Sequence, residues 1–405
     1  MTDRNFDRLT FDVDVAIIGG GIGGLWLLNR LCNRGYNAVM LEKHALGNQQ
    51  SINSQGIIHG GIKYSLAGGL TSASEAIAAM PDRWRRCLRG EGDVDLRGAK
   101  VLSEELYLWS TNTTISILTA FLASQVMRSH VVSVPDSSRH PAFQNSAFKG
   151  NVQLVDEMVL DAPSVVRTLA HNCTGRIYKI TDLNVSRDLS GRVESIQFSN
   201  GRSNATTLRP QRVVLSAGAG NEALLQQLHC SKPEMQIRPL HQALLKHDYP
   251  HALYAHCIGS SPSPRITISS HPTTDGKWVW YLGGDLATNG VALSESELIV
   301  KGKQELLELL PWLPFESAQW ATLRIDRAEP KQSKLIKPDK AFAAVADGCT
   351  NVIAAWPTKL TLAPNMADEV EALLDIQPQA PALPAASAQI VAPNVATPCW
   401  ETLFA

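Results

Sequence analysis

The chain has 405 residues, which at ~150 residues per domain makes roughly two to three domains with room for a full core. Hydrophobic residues are 44% and charged residues 19%, which excludes a disordered or collagen-like chain. Lys plus Arg is 37 against 38 for Asp plus Glu, a net charge of −1, so no global field draws the protein to nucleic acid or an anionic membrane.

Asp3, Asp7 and Asp12 stand where a signal peptide needs basic and apolar residues. The apolar stretch at 15–28 is too short and too glycine-rich to span a bilayer. The 7 cysteines, Cys32, Cys87, Cys173, Cys230, Cys257, Cys349 and Cys399, contain no Cys-x-x-Cys. That excludes a dithiol redox motif and a zinc-ligand spacing, and suits free thiols in a reducing compartment. The expected location is the cytoplasm, either free or peripheral at the inner membrane, with no transmembrane segment.

Residues 13–18 form an apolar, β-branched run interrupted only by Asp14, the pattern of a strand buried on both faces. Glycines follow at 19–24, then a helical pattern at 25–31 and a second short strand at 38–41 ending at Glu42. Strand, glycine turn, helix, strand is a βαβ unit that opens a doubly wound sheet. Residues 48–70 change to polar loop chemistry, and helical patterns recur at 74–89 and 114–128. After residue 152 come strands, a helix at 162–171, and strands broken by Asp-Leu-Ser-Gly and Ser-Asn-Gly turns. A buried strand at 213–216 runs into Ala217 and Gly218. The Asp275-Gly276 turn predicts a hairpin. A helix at 295–310, a strand at 351–356 and a helix at 367–374 close the folded part. The last segment carries Pro378, Pro381, Pro384, Pro393 and Pro398 among alanines, and is expected to be extended or disordered.

The expected fold class is α/β. A discontinuous doubly wound, Rossmann-like domain takes 1–95, 150–232 and 322–376. An interleaved α+β substrate domain on an antiparallel sheet takes 96–149 and 233–321, and 377–405 is a Pro/Ala-rich tail.

Gly19, Gly21 and Gly24 fit Gly-x-Gly-x-x-Gly in the right context. The first makes the turn, the second admits a pyrophosphate, and the third packs helix on strand. Glu42 ends the next strand, where a carboxylate accepts ribose hydroxyls, and Lys43 follows it. This motif fits FAD and NAD alike. In the stretch Ser54-Gln55-Gly56-Ile57-Ile58-His59-Gly60-Gly61-Ile62-Lys63-Tyr64, glycines flank a histidine and let backbone approach a planar ligand. His59, Lys63 and Tyr64 offer a proton acceptor, a cation and a phenol. On residue chemistry alone, a polar surface loop fits equally well.

That segment is similar to the Ser-x-x-x-Ile-His-Gly-Gly-x-Arg-Tyr signature of FAD-dependent glycerol-3-phosphate dehydrogenases. It also resembles the His-Ala-Gly-Ile segment of 2-hydroxyglutarate oxidases. Both belong to the D-amino-acid oxidase (DAO) superfamily. Residues 213–220, ending in Ala-Gly-Ala-Gly, resemble the family's middle strand. Thr322-Leu323-Arg324 resembles its Gly-Val-Arg, and Lys359-Leu360-Thr361 its Gly-Lys-Leu-Thr. The resemblance implies FAD, bound non-covalently and without a nicotinamide cofactor, and hydride transfer from a substrate carbon to the flavin. The implied donor is a small anionic 2-hydroxy acid or polyol phosphate, and the acceptor is oxygen or a quinone. On this reading His59 faces the reacting alcohol, with Arg324 and Lys359 as its catalytic partners and Lys63 and Tyr64 binding substrate. Ser54, Thr361, Ala217 and Gly218 join the glycines, Glu42 and Lys43 at the cofactor.

Lys63 stands where the dehydrogenases have Arg, and Pro357-Thr358 replaces a glycine pair. A lysine makes no planar bidentate clamp on phosphate, so a carboxylate serves equally. Amino-acid or amine oxidation is the alternative within the superfamily. A flavoprotein with structural FAD acting as a binding module is the alternative outside it, resting on the run Arg83, Arg85, Arg86 and Arg89. That run reads more simply as a solvated helix face. His241, His247, His251 and His256 have no metal spacing, and no metal is expected.

Overall fold

β1 (Thr10–Ile18) begins exposed and, apart from the buried Asp14, is apolar from Val13 onward, where each of its faces meets a separate core. Val15 and Ile17 pack in one, Val13, Ala16 and Ile18 in the other. The computed structural model describes residues 10–60, 77–114, 131–200, 206–261, 263–331, 340–379 and 391–405. Lys63, Tyr64 and the helix expected from residue 115 onward lie outside them. α1 (Ile22–Asn33) and β2 (Ala38–Glu42) complete the expected βαβ unit, with β2 parallel to β1.

The chain continues through β3 (Ile57–Ile58), α2 (Met80–Leu88), β4 (Val101–Ser103), β5 (Leu106–Ser110), β6 (Val131–Ser133), β7 (Val152–Val155), β8 (Met158–Leu160) and α3 (Ala162–Asn172). β9 (Ile177–Lys179), β10 (Asp182–Arg187), β11 (Val193–Ser199), β12 (Thr206–Leu215) and α4 (Gly220–Gln227) follow. Next come β13 (Met235–His247), β14 (Ala255–Ile258), β15 (Ile266–Pro272), β16 (Trp278–Gly283), α5 (Asp285–Asn289) and α6 (Glu295–Leu309). β17 (Gln319–Pro330), β18 (Phe342–Ala346), β19 (Cys349–Trp356), α7 (Ala363–Leu374) and α8 (Cys399–Leu403) close the chain. α6 starts where Ser294 and Glu297 form a reciprocal capping box.

Two large sheets result. The first runs β10-β11-β12-β1-β2-β9, with β19 beside β12 and β18 beside β19. Its parallel core β2-β1-β12-β19 has α1 and α7 on one face. The second runs β17-β13-β16-β15-β14-β5-β7-β6 and is mostly antiparallel. β15 and β16 form the hairpin that Asp275-Gly276 predicts. The sequence placed β7 and β17 with the cofactor domain, but both hydrogen-bond in this second sheet. A single strand's apolar pattern shows that it is buried, not which sheet buries it. α6 covers one face of the second sheet, over Ala243, Leu245 and Trp280.

The tail, expected to be extended or disordered, is extended up to α8 and anchored over its described residues 391–405. Val395 bridges to Leu46, and Lys179 N–H donates to Val391 O at 2.9 Å. Trp400, 3% exposed, stacks on His271 at 4.7 Å and packs with Leu244, Val279 and Tyr281. Proline keeps the approach extended, and one tryptophan supplies the apolar area that anchors it. Among the described residues, no helix is long and apolar enough to cross a membrane.

Candidate active site

The glycine loop sits where β1 meets β12. Gly19 has φ +113°, and a Cβ there would lie 2.5 Å from the Ala217 Cα. A Cβ on Gly24 would lie 2.2 Å from the Gly19 carbonyl. Both glycines are thus demanded by close backbone approach. Gly21 differs, since its Cβ position meets only Ser51 Oγ, at 3.4 Å. It precedes α1, whose first turn holds no acid and whose Ile22 N–H donates to Ser51 Oγ at 2.9 Å. A helix N-terminus behind a glycine turn is the kind of place that receives phosphate. Across the loop, Gly218 has φ +59° and nothing nearer its Cβ position than Gln50, at 3.8 Å. Ala217 N–H is held by Asn221 Oδ1 at 2.7 Å.

Glu42 reaches back to this loop. Its Oε2 accepts from Gly20 N–H at 2.5 Å and its Oε1 from His44 N–H at 2.6 Å. Lys43 is exposed and faces Asp182, whose carboxyl it helps hold below the ordinary range, after Ser199 and Thr181. Ser54 Oγ is buried and meets no hydrogen-bond partner among the described residues. A buried hydroxyl without a partner is costly, and a bound ligand would supply one. The open Gly21 and Gly218, the helix N-terminus behind the glycine turn, the carboxylate at the end of β2 and this hydroxyl together fit FAD.

His59 lies just after β3, beside the 3₁₀ turn Leu360–Leu362. Thr361, 1% exposed, accepts from His59 N–H at 3.0 Å and donates to Ile57 O at 3.2 Å. Its hydroxyl therefore holds the histidine segment in place. Lys359, half-buried, caps that turn, and Thr358 before it has φ +60°. This is a strained conformation for a β-branched residue.

Two residues at His59 carry no sequence signal. Glu157, 1% exposed between β7 and β8, places Oε2 3.3 Å from His59 Nδ1 and 3.9 Å from His256 Nε2. Its Oε1 accepts from Gly60 N–H at 3.0 Å. The His59 and His256 rings stack 6.1 Å apart, and His256 Nδ1 meets Thr267 Oγ1 at 2.8 Å. The sequence passed over His256 by testing histidines only against helical spacing, whereas it stands on a strand.

Arg324 is not brought to this site. It pairs in register with His241 and so shares its sheet face, the one beneath α6. His241 bonds Gly290 O, and exposed Arg324 donates to Val291 O at 3.3 Å. Arg327 has the opposite parity. It is largely buried and donates to Arg238 O at 3.1 Å, with no carboxylate partner among the described residues. Burial and neighbouring Arg238 lower its pKa to about 9, against the pull of Glu329, which itself is clamped by Arg238. Three arginines of the run at α2 are paired. Arg83 binds Asp93 and Asp368, Arg85 binds Asp156, and Arg89 binds Glu91.

The profile of the FAD dependent oxidoreductase (DAO) family matches residues 14–369, and the chain belongs to that family. It is an FAD-dependent oxidoreductase. A curated relative, the probable FAD-dependent oxidoreductase PA4991 of Pseudomonas aeruginosa, is 48% identical over 396 residues, covering 97% of this chain and 98% of that protein. Its crystal structure superposes with a TM-score of 0.84 over 98% of this chain and 100% of that one. Glycine oxidase from Geobacillus kaustophilus shares the fold at 14% identity and a TM-score of 0.64, covering 91% and 95% of the two chains. The L-alpha-glycerophosphate oxidase of Mycoplasma pneumoniae, solved with FAD bound, does so at 14% and 0.63, covering 93% and 97%.

Proposed function

We propose that the chain oxidises the CH–OH group of a small anionic 2-hydroxy acid or polyol phosphate. The observation that carries this reading is His59, an imidazole fixed at its backbone by Thr361 and at Nδ1 by Glu157. Bound FAD supplies the two-electron acceptor for the hydride. His59 takes the hydroxyl proton. Lys359, with Lys63 and Tyr64, binds the anionic end of the donor. Arg327 takes the place first given to Arg324, because its sheet face is that of Leu323, which packs on Tyr281 and Trp400. A buried guanidinium lacking a carboxylate partner favours an anion. The flavin is held non-covalently by Gly19, Gly21, Gly24, Glu42, Ser54, Ala217 and Gly218.

An anaerobic screen of hydroxy acids, polyol phosphates and amino acids, read by bleaching of the flavin absorbance, tests this. Reduction by a hydroxy acid or polyol phosphate is expected. A faster amino acid or amine assigns the donor to CH–NH compounds instead. No bleaching by any class would favour a structural flavin. Reoxidation by oxygen or by a quinone then identifies the acceptor.

A further inference from the structure

The buried Glu157 carboxylate is flanked by two imidazoles and by one backbone N–H. With Nδ1 of His59 turned to this carboxylate, the neutral ring stores its hydrogen there. A carboxylate accepts and cannot donate. We propose that Glu157 is a positioning residue that fixes His59 as the Nδ1–H tautomer, leaving Nε2 as the atom that takes a proton, with His256 Nε2 facing the carboxylate at 3.9 Å on its other side. The inference rests on the reading of His59 as the base.

The arrangement is built from distant parts of the chain. Glu157 Oε1 is tied to Gly60 N–H, so carboxylate and histidine segment cannot shift independently. Thr267 Oγ1 on β15 holds His256 Nδ1, which turns His256 Nε2 toward Glu157. When Nε2 gains a proton, the imidazolium forms beside a carboxylate already in place, and no new charge is left alone in a buried site. Further charges stand on the described elements packed around His59. Arg85 on α2 binds Asp156, the neighbour of Glu157, and Arg83 binds Asp93 and Asp368. Lys359 stands before the 3₁₀ turn and Asp161 after β8. Among the described residues, the carboxylate in direct contact with the ring is Glu157.

Nitrogen-15 NMR of histidine-labelled, FAD-loaded protein tests this without any substrate, so a failed donor screen and a failed tautomer assignment are separate results. His59→Asn and His256→Asn assign the signals. In wild type, His59 is expected as the Nδ1–H tautomer, titrating above the ordinary histidine value. In Glu157→Gln, with FAD content unchanged, the tautomer preference is lost and His59 titrates at least one pH unit lower. Glu157→Asp, which keeps the charge, retains the tautomer. A wild-type His59 carrying its hydrogen on Nε2 overturns the proposal even if no variant folds. So does an identical His59 tautomer and titration in wild type and Glu157→Gln.

Discussion

Lowering the pH from 7 to 5 will destabilise this protein through histidines that the fold keeps neutral. His271 is 1% exposed, with its ring between Tyr281 and Trp400, and burial drives its pKa down to about 3. His247 is 4% exposed and packs against Trp280 and Phe315, and burial lowers it to about 4. The geometry agrees, because His247 Nδ1 accepts from Tyr249 N–H at 3.1 Å and loses that bond on protonation. Unfolded, each ring takes up a proton below pH ~6.5. Folded, neither does until pH about 4 and about 3. Stability is therefore full above pH ~6.5 and falls as the pH drops toward the folded values. At ~1.4 kcal/mol per pH unit, each ring costs about 2 kcal/mol at pH 5, roughly 4 kcal/mol for the pair. Half-buried His140, lowered to about 4 chiefly by burial, adds a smaller share. Against a total of ~5–15 kcal/mol this is a large loss. Urea unfolding at pH 7, 6 and 5 in excess FAD measures it, and His271→Gln should flatten the slope by about 1.4 kcal/mol per unit. Equal stability at pH 7 and 5, to within about 1 kcal/mol, would refute the burial of these rings.

Three further outcomes are expected. Glu42→Ala should weaken FAD binding ten-fold or more, since charge-assisted hydrogen bonds contribute ~1.5–3 kcal/mol each; unchanged flavin occupancy removes Glu42 from the site. Gly24→Ala puts a methyl 2.2 Å from the Gly19 carbonyl, so α1 must move off β1, and a Tm lower by several degrees with loss of bound flavin should follow; a wild-type Tm contradicts that contact. Trp400→Ala should cost ~3–5 kcal/mol in urea unfolding and open residues 391–405 to protease; a cost below ~1 kcal/mol would mean the segment is not anchored there.

The cofactor half of the fold was readable because its signals are local. Gly19, Gly21, Gly24 and Glu42 lie within one βαβ unit, and that unit's geometry follows from neighbours in sequence. Arg324 failed for a reason of parity. In an extended strand, alternate residues face opposite sides, and the pairing of Arg324 with His241 turns it away from His59. Its resemblance to Gly-Val-Arg fixed a place along the strand but not a face. Glu157 and His256 reach His59 from β-strand ends far apart in the chain, and nothing near either residue marks the meeting. At the C-terminus the prolines and alanines told of the extended path, while the anchor made by Trp400 is lost in an average over composition.

The central position of β1 has a consequence for how the molecule comes into being. Val15 pairs with Ala38 on one side and Arg212 on the other, and Leu215 pairs in turn with Ala354. The cofactor sheet is therefore stitched from three stretches with the second sheet threaded between them. Closing such long loops is entropically slow, and partly joined states expose strand edges. No contiguous piece of the chain can be cut out as a flavin-binding module. Because Gly19 rests on Ala217, and β12 on β19, the glycine loop acquires its shape only when the last stretch is in place. Flavin capture during refolding thus marks completion of the whole chain, not of its first fifty residues.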